Sequence, residues 1–197
     1  MVTDVAVTGQ GTDAPFSFRS DHLVLDFAAT LMFREPAMPS RELLAEPQAL
    51  ARWAMAAGLL DGTPSRASAG SLAAAIEVRE AVYRVAGALI GGEPLPVESV
   101  AALNRHAAKR PVTVAISTDG AITRTGSLDQ VVASLARAAI ELFGGSDARR
   151  VHQCARTDCT RLFIDRTRGQ TRVWCGMSTC GNRVNAAAYR RRRARDS

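Results

Sequence analysis

Apolar residues recur at helical spacing through most of the first 143 positions of this 197-residue chain. The clearest stripe lies in SLAAAIEVREAVYRVAGALI, residues 71–90. There Leu72, Ile76, Tyr83, Ala86 and Ile90 share one helical face, and Ser71 stands at the start as a candidate cap. LLAEPQALARWAMAAGLLDG, residues 43–62, repeats the pattern through Leu50, Trp53, Ala54 and Ala57. Pro47 is placed to open that helix and Gly58 to stop it. Two more helices are predicted, over 96–109 and 127–143, the second closed by Gly144-Gly145. HLVLDFAATLM, residues 22–32, is apolar nearly throughout; its alanines, with Asp21 as a cap, favour a buried helix over a buried strand. A period of two appears in VTVAISTDGAITRTG, residues 112–126, where alternation around Asp119-Gly120 predicts a β-hairpin. Residues 1–15 show no periodicity and read as a loose arm, and the Pro-, Ser- and Gly-rich residues 63–70 read as a loop.

Composition agrees with a folded, helix-rich protein. Hydrophobic residues make up 47% and charged residues 22%, alanine is abundant and aromatics are few. No apolar run reaches 18 residues, so no membrane span is expected. The first fifteen residues lack the basic and apolar regions of a leader, and a cytoplasmic location is expected. No Gly-rich phosphate loop, nucleophile elbow or H-E-x-x-H is present, so an enzyme is not expected. Charge divides the chain. Residues 1–148 hold 12 basic and 16 acidic residues, net −4, whereas residues 149–197 hold 13 arginines and three acids, net +10. A mildly acidic body with an arginine-rich end points to a polyanionic partner for that end.

All four cysteines lie in that basic end, as C-x4-C-x15-C-x4-C: Cys154, Cys159, Cys175 and Cys180. Two close pairs separated by roughly 15–20 residues are the arithmetic of a structural zinc site. Disulfides are disfavoured by the compartment and no C-x-x-C redox motif exists. Four thiolates would fill one zinc, leaving His152 as a surface residue. Between the pairs, residues 161–165 and 171–175 flank a turn at Thr167–Gln170. They are expected to form a short hairpin with Leu162, Ile164, Val173 and Trp174 as its core.

Cys180-Gly181-Asn182-Arg183 and the surrounding LFIDRTRGQTRVWCGMSTCGNR resemble the CGNR zinc finger family, through Phe163, Asp165, Arg172, Trp174 and Met177 among others. LVLDFAAT, ALARWAMAAGLL and VREAVYRV resemble the ABATE domain that partners it, so that the likeness runs from about residue 16 onward. Two positions depart from the pattern: Ala29 stands where the family usually has Asn, and Asn185 where it often has Lys. The resemblance implies a stress-induced transcription regulator.

Fold class follows as α+β: a mainly α-helical N-terminal domain with a small β-hairpin, then a treble-clef or ribbon-like zinc module of a β-hairpin and a C-terminal helix. The expected divisions are an arm (1–15), an ABATE-like sensing or dimerisation domain (16–148) and a CGNR-type finger (149–197). The closing helix is expected over about 182–194, capped by Asn182, with Val184 and Ala188 packed near Trp174. Arg172, Arg183, Arg190, Arg191, Arg192 and Arg193 are the candidate nucleic-acid contacts, because guanidinium forks match phosphate oxygens and guanine edges. Few exposed rings are available to stack on single strands, which favours duplex DNA over RNA. An RNA- or ribosome-associated factor and a protein-interaction adaptor are the alternatives. In the N-terminal domain, Asp26, Thr30 and Arg79 are candidates for a small-ligand pocket or a buried ion pair, with Asp26 expected to meet Arg79. His22, four residues before Asp26, is read as structural. A homodimer is expected from half-site reading of DNA.

Overall fold

In the computed structural model, which describes residues 16–34 and 39–195, the chain opens with α1 (Leu23–Ala28), β1 (Leu31–Met32) and β2 (Arg41–Glu42). There follow α2 (Pro47–Ala56), α3 (Ala69–Gly91), α4 (Val97–Ala107), the hairpin β3 (Thr113–Ile116) and β4 (Ile122–Thr125), and α5 (Leu128–Gly144). The basic end holds β5 (Val151–Gln153), β6 (Leu162–Ile164) and α6 (Asn182–Arg195). The arm expected over 1–15 lies outside the described residues.

Helix α3 is the centre. Ala75, Ala81 and Ala86 are fully buried along it with Val78 and Val82, and these small side chains let α1, α4 and α5 pack close around it. Its cap is Ser68, not Ser71: Ser68 Oγ accepts the Ser71 N–H at 3.1 Å, so the helix begins inside the expected loop. Gly92, at φ 67°, ends it in the left-handed conformation. Helix α5 starts with a capping box between Ser127 and Gln130.

Helix α1 stops at Ala28, short of the expected Met32. The Thr30 hydroxyl donates to the Phe27 carbonyl at 2.7 Å, and the chain then turns into β1. His22 takes the cap position expected of Asp21, its Nδ1 accepting the Val24 N–H at 3.3 Å, while Asp21 adopts φ 57° and turns the chain. Phe27 packs against Trp53 of α2 in a tilted arrangement, with ring centroids 4.9 Å apart and planes at 54°. The β3–β4 hairpin forms as predicted, with Ile116 opposite Ile122 and Gly120 at φ 84° in its turn.

The strand pairing of the basic end differs from expectation. β6 pairs antiparallel with β5, Val151 opposite Ile164 and Gln153 opposite Leu162, and residues 171–173 are irregular. The cause is Asp165, fully buried at the end of β6. Its carboxylate accepts the Thr167 N–H (2.8 Å), the Thr167 hydroxyl (2.6 Å) and the Arg172 N–H (2.7 Å), which holds the returning segment by a side chain in place of a ladder. Burial opposes ionisation of Asp165, but these bonds prevail and keep its pKa below the usual value. Strand alternation puts Leu162 and Ile164, with Val151, into the core of the helical body, and Phe163 onto the cysteine side. One short strand therefore serves two cores.

Candidate metal centre and basic helix

Cys159 and Cys180 are fixed by turns and Cys154 by the end of a strand pair. Cys154 leaves β5 with its N–H bonded to the Arg161 carbonyl (3.0 Å), and the Cys159 N–H closes a turn onto Arg156 (2.8 Å). Cys180 sits in a wide π-helical turn, Met177–Gly181, where the Cys180 and Gly181 N–H groups both reach the Gly176 carbonyl. The four sulfurs lie within 4.8 Å of one another and none is in a disulfide. Cys159 Sγ is 3.8 Å from Cys175 Sγ, and Cys175 Sγ is 3.5 Å from Cys180 Sγ. A tetrahedron with Zn–S bonds of about 2.3 Å has edges of about 3.8 Å, so the donor set fits zinc.

The electrostatics of the sulfurs agree. The thiol hydrogen bond from Cys175 brings Cys159 down to about 5. That same contact, and then burial, drives Cys175 far above its usual value, and burial pushes Cys180 up to about 11. Cys159, Cys175 and Cys180 at contact distance thus resist ionising together; a dication at the centre of the cluster would reverse that. The four cysteines form one structural zinc site. His152 stands outside it, its Nε2 3.4 Å from Gln170 Oε1.

Helix α6 runs on from the π turn, close to the expected span. Asn182 is already helical and does not cap. A side chain at Gly181 would collide with Met177 Sδ and come within 3.1 Å of Trp174 Cδ1, so glycine here lets the helix start against the metal turn. Arg183, Arg190, Arg191, Arg192 and Arg193 are exposed along α6, and Val184 is half-buried.

Arg172, expected among the nucleic-acid contacts, is turned inward. Its guanidinium donates to the carbonyls of Trp174 (3.0 Å), Cys175 (2.7 Å), Arg19 (3.1 Å) and Ile164 (3.3 Å), pairs with Asp21, and stacks 4.4 Å from the Phe163 ring centroid. Every fork of the side chain is used to tie the metal turn to the N-terminal segment.

The Asp26–Arg79 pair does not form. Asp26 instead meets Arg161 of the basic end, Oδ1 to Nη1 at 3.1 Å, and accepts the N–H groups of Arg19 (2.9 Å) and Ser20 (3.0 Å). Burial raises its pKa above the usual value against these contacts. Arg161 also donates to the Ser17 carbonyl at 3.0 Å. Arg79, 2% exposed, forks onto both oxygens of Glu42 at 2.7 Å, bonds Glu80 at 3.0 Å and reaches Thr30 Oγ1 at 3.4 Å. Arg34 completes the group, bonded to Glu80 at 2.5 Å and lying over the Tyr83 ring at 4.1 Å. Two separate ion-pair clusters stand where one pair was expected. Arg34, Glu42 and Arg161 escaped the sequence reading because no spacing rule links positions so far apart.

Burial opposes ionisation of Glu42 and Glu80, yet Arg79 and Arg34 overcome it and hold both carboxyls below 4.5. Such groups stabilise fully above their unfolded pKa, and that stability is lost as pH falls through the lower folded values. Glu42→Gln is therefore expected to flatten the acid-side decline in urea midpoint between about pH 5 and 3. An unchanged slope would show that Glu42 is not held by Arg79 in solution.

Two family models match the chain. Residues 21–146 match ABATE, described as a "putative stress-induced transcription regulator", and residues 150–193 match the CGNR zinc finger. A search of curated proteins finds no match. No helix among the described residues is long and apolar enough to cross a membrane. The first match spans well over half of the sequence, and the four-sulfur cluster lies wholly within the second; the chain belongs to the ABATE family and carries a CGNR zinc finger after it.

Proposed function

We propose that this regulator-type protein binds duplex DNA through α6, and that the helical body receives the signal. The observation that carries the reading is the origin of α6. It begins two residues after the ligand Cys180 and presents Arg183, Arg190, Arg191 and Arg192 to solvent. A helix rooted in a metal site holds its charges at a fixed angle, which suits a phosphate backbone. Phe163 is buried and Trp174 packs against the cysteines, so Tyr189 is the exposed ring on α6, and a single ring offers little for stacking successive bases of a single strand.

Binding should weaken linearly on a log–log plot against salt. Replacing Arg190, Arg191 and Arg192 together with alanine is expected to weaken it on all sequences and to lower that slope by about 2 to 3. Titration of a labelled duplex at several salt concentrations measures both. Unchanged affinity in the triple variant would favour an adaptor that docks a protein partner, and preference for structured RNA in competition would favour a ribosome-associated factor.

A further inference from the structure

Between β1 and the turn that carries Cys159 lies a small, partly open pocket with an internal volume of about 30 Å³. Ala29, Leu31, Met32 and Phe33 line it from the body, and Cys159, Thr160 and Arg161 from the finger. Its walls are mainly apolar. Cys154, Cys175 and Cys180 are each 4% exposed, whereas Cys159 is half-buried and, among the four, is the one that lines the pocket. Thr160 is 5% exposed; its Oγ1 accepts the Arg34 N–H at 3.3 Å, and no described residue accepts its own proton. The pocket thus offers a sulfur nucleophile, a neighbouring O–H donor and an apolar cradle.

We propose that this pocket admits the reactive end of small apolar α,β-unsaturated carbonyl compounds, whose remainder lies along its open wall, and that Cys159 is the residue they modify. The apolar tail lies against Leu31, Met32 and Phe33, and the carbonyl oxygen accepts the Thr160 hydroxyl. The Cys159 sulfur attacks the β-carbon and forms an S–C bond. The C=C electron pair shifts toward the carbonyl, and water supplies the proton that completes the saturated adduct. No oxidant or leaving group is needed. The sulfur becomes a neutral thioether, so the site keeps three thiolates in place of four, and its hold on zinc weakens. A covalent signal received between the two domains would in this way loosen the root of α6. The inference rests on the sensing half of the proposed function and not on DNA binding.

The test uses the full-length, zinc-loaded protein without DNA. It is treated with 2-hexenal, adducts are mapped by peptide mass spectrometry, and released zinc is read with a metallochromic dye. Cys159 is expected to react about tenfold ahead of the other three cysteines, in keeping with its access, with zinc release following the adduct. Thr160→Val should slow 2-hexenal several-fold and leave iodoacetamide unaffected, because displacement of iodide needs no carbonyl activation; Thr160→Ser should keep the original rate. Adducts appearing equally early at Cys154, Cys175 or Cys180 would overturn the proposal. So would zinc loss without a Cys159 adduct, or equal slowing of both reagents by Thr160→Val. Failure on any of these leaves the salt-dependent DNA binding to stand or fall separately.

Discussion

Removing zinc, by chelation or by Cys175→Ser, is expected to unfold the metal turns and α6 while leaving the helical body folded. The apparent binding energy of a structural zinc is about 10–16 kcal/mol, as large as the whole stability of an ordinary domain, about 5–15 kcal/mol. The core on the cysteine side consists of Phe163 and Trp174 with the cysteines themselves, too little to hold the turns without metal. Val151, Leu162 and Ile164 are different, because they pack among the helices of the body and do not need the ion. Hydrogen exchange should therefore show protection lost over 154–160 and 172–195 on chelation, retained in α3 and α5, and reduced only modestly in β5 and β6. DNA binding should be lost with it. Full protection of α6 in metal-free protein would refute this account.

The second large effect is expected at Arg161→Met. It strands Asp26, 7% exposed, without its counter-ion, and breaking a buried pair costs about 3–5 kcal/mol. The Arg19 and Ser20 N–H groups still bond Asp26, so the lower end of that range is expected. The pH dependence has a definite sign. Asp26 has a raised native pKa, so the folded state holds its proton to higher pH than the unfolded chain, and stability declines from the ordinary 3.8 up to that raised value. Loss of Arg161 lifts the native value further and extends the decline upward, so the variant should lose most at neutral pH and least in acid. Asp26→Asn in the same chain should recover most of the loss, since the amide oxygen still accepts both N–H groups. Urea unfolding of the two single variants and the double variant, at two pH values, gives the coupling directly. No coupling would mean that the two side chains do not meet.

What the sequence revealed here is what short-range chemistry determines. Cysteine spacing implied the four-sulfur cluster, alanine and arginine after Cys180 implied α6, and Asp119-Gly120 implied a hairpin. Periodicity located the helices, while their ends moved by a few residues, as with Ser68 capping α3 in place of Ser71. What stayed hidden is partner choice over long separations. Asp26 and Arg79 are both buried and of opposite charge, and nothing local says that 135 positions separate Asp26 from its true partner. Arg172 was hidden for a related reason. In a stretch with 13 arginines, composition does not distinguish a guanidinium turned to solvent from one whose forks are filled by carbonyls. The β5–β6 pairing escaped because Asp165, read as a strand residue, is the side chain that prevents the nearer hairpin.

The two-sided strand β6 also sets an order of events during synthesis. The body's last helix ends at Gly144, yet its core is completed only by Val151, Leu162 and Ile164. At about 5–20 residues per second, the ribosome needs roughly one to four seconds to travel from Gly144 to Ile164. During that interval the nascent body shows an uncovered apolar face, a natural place for a chaperone to hold it. The body is therefore finished by the finger's own strands, whether or not zinc has yet arrived.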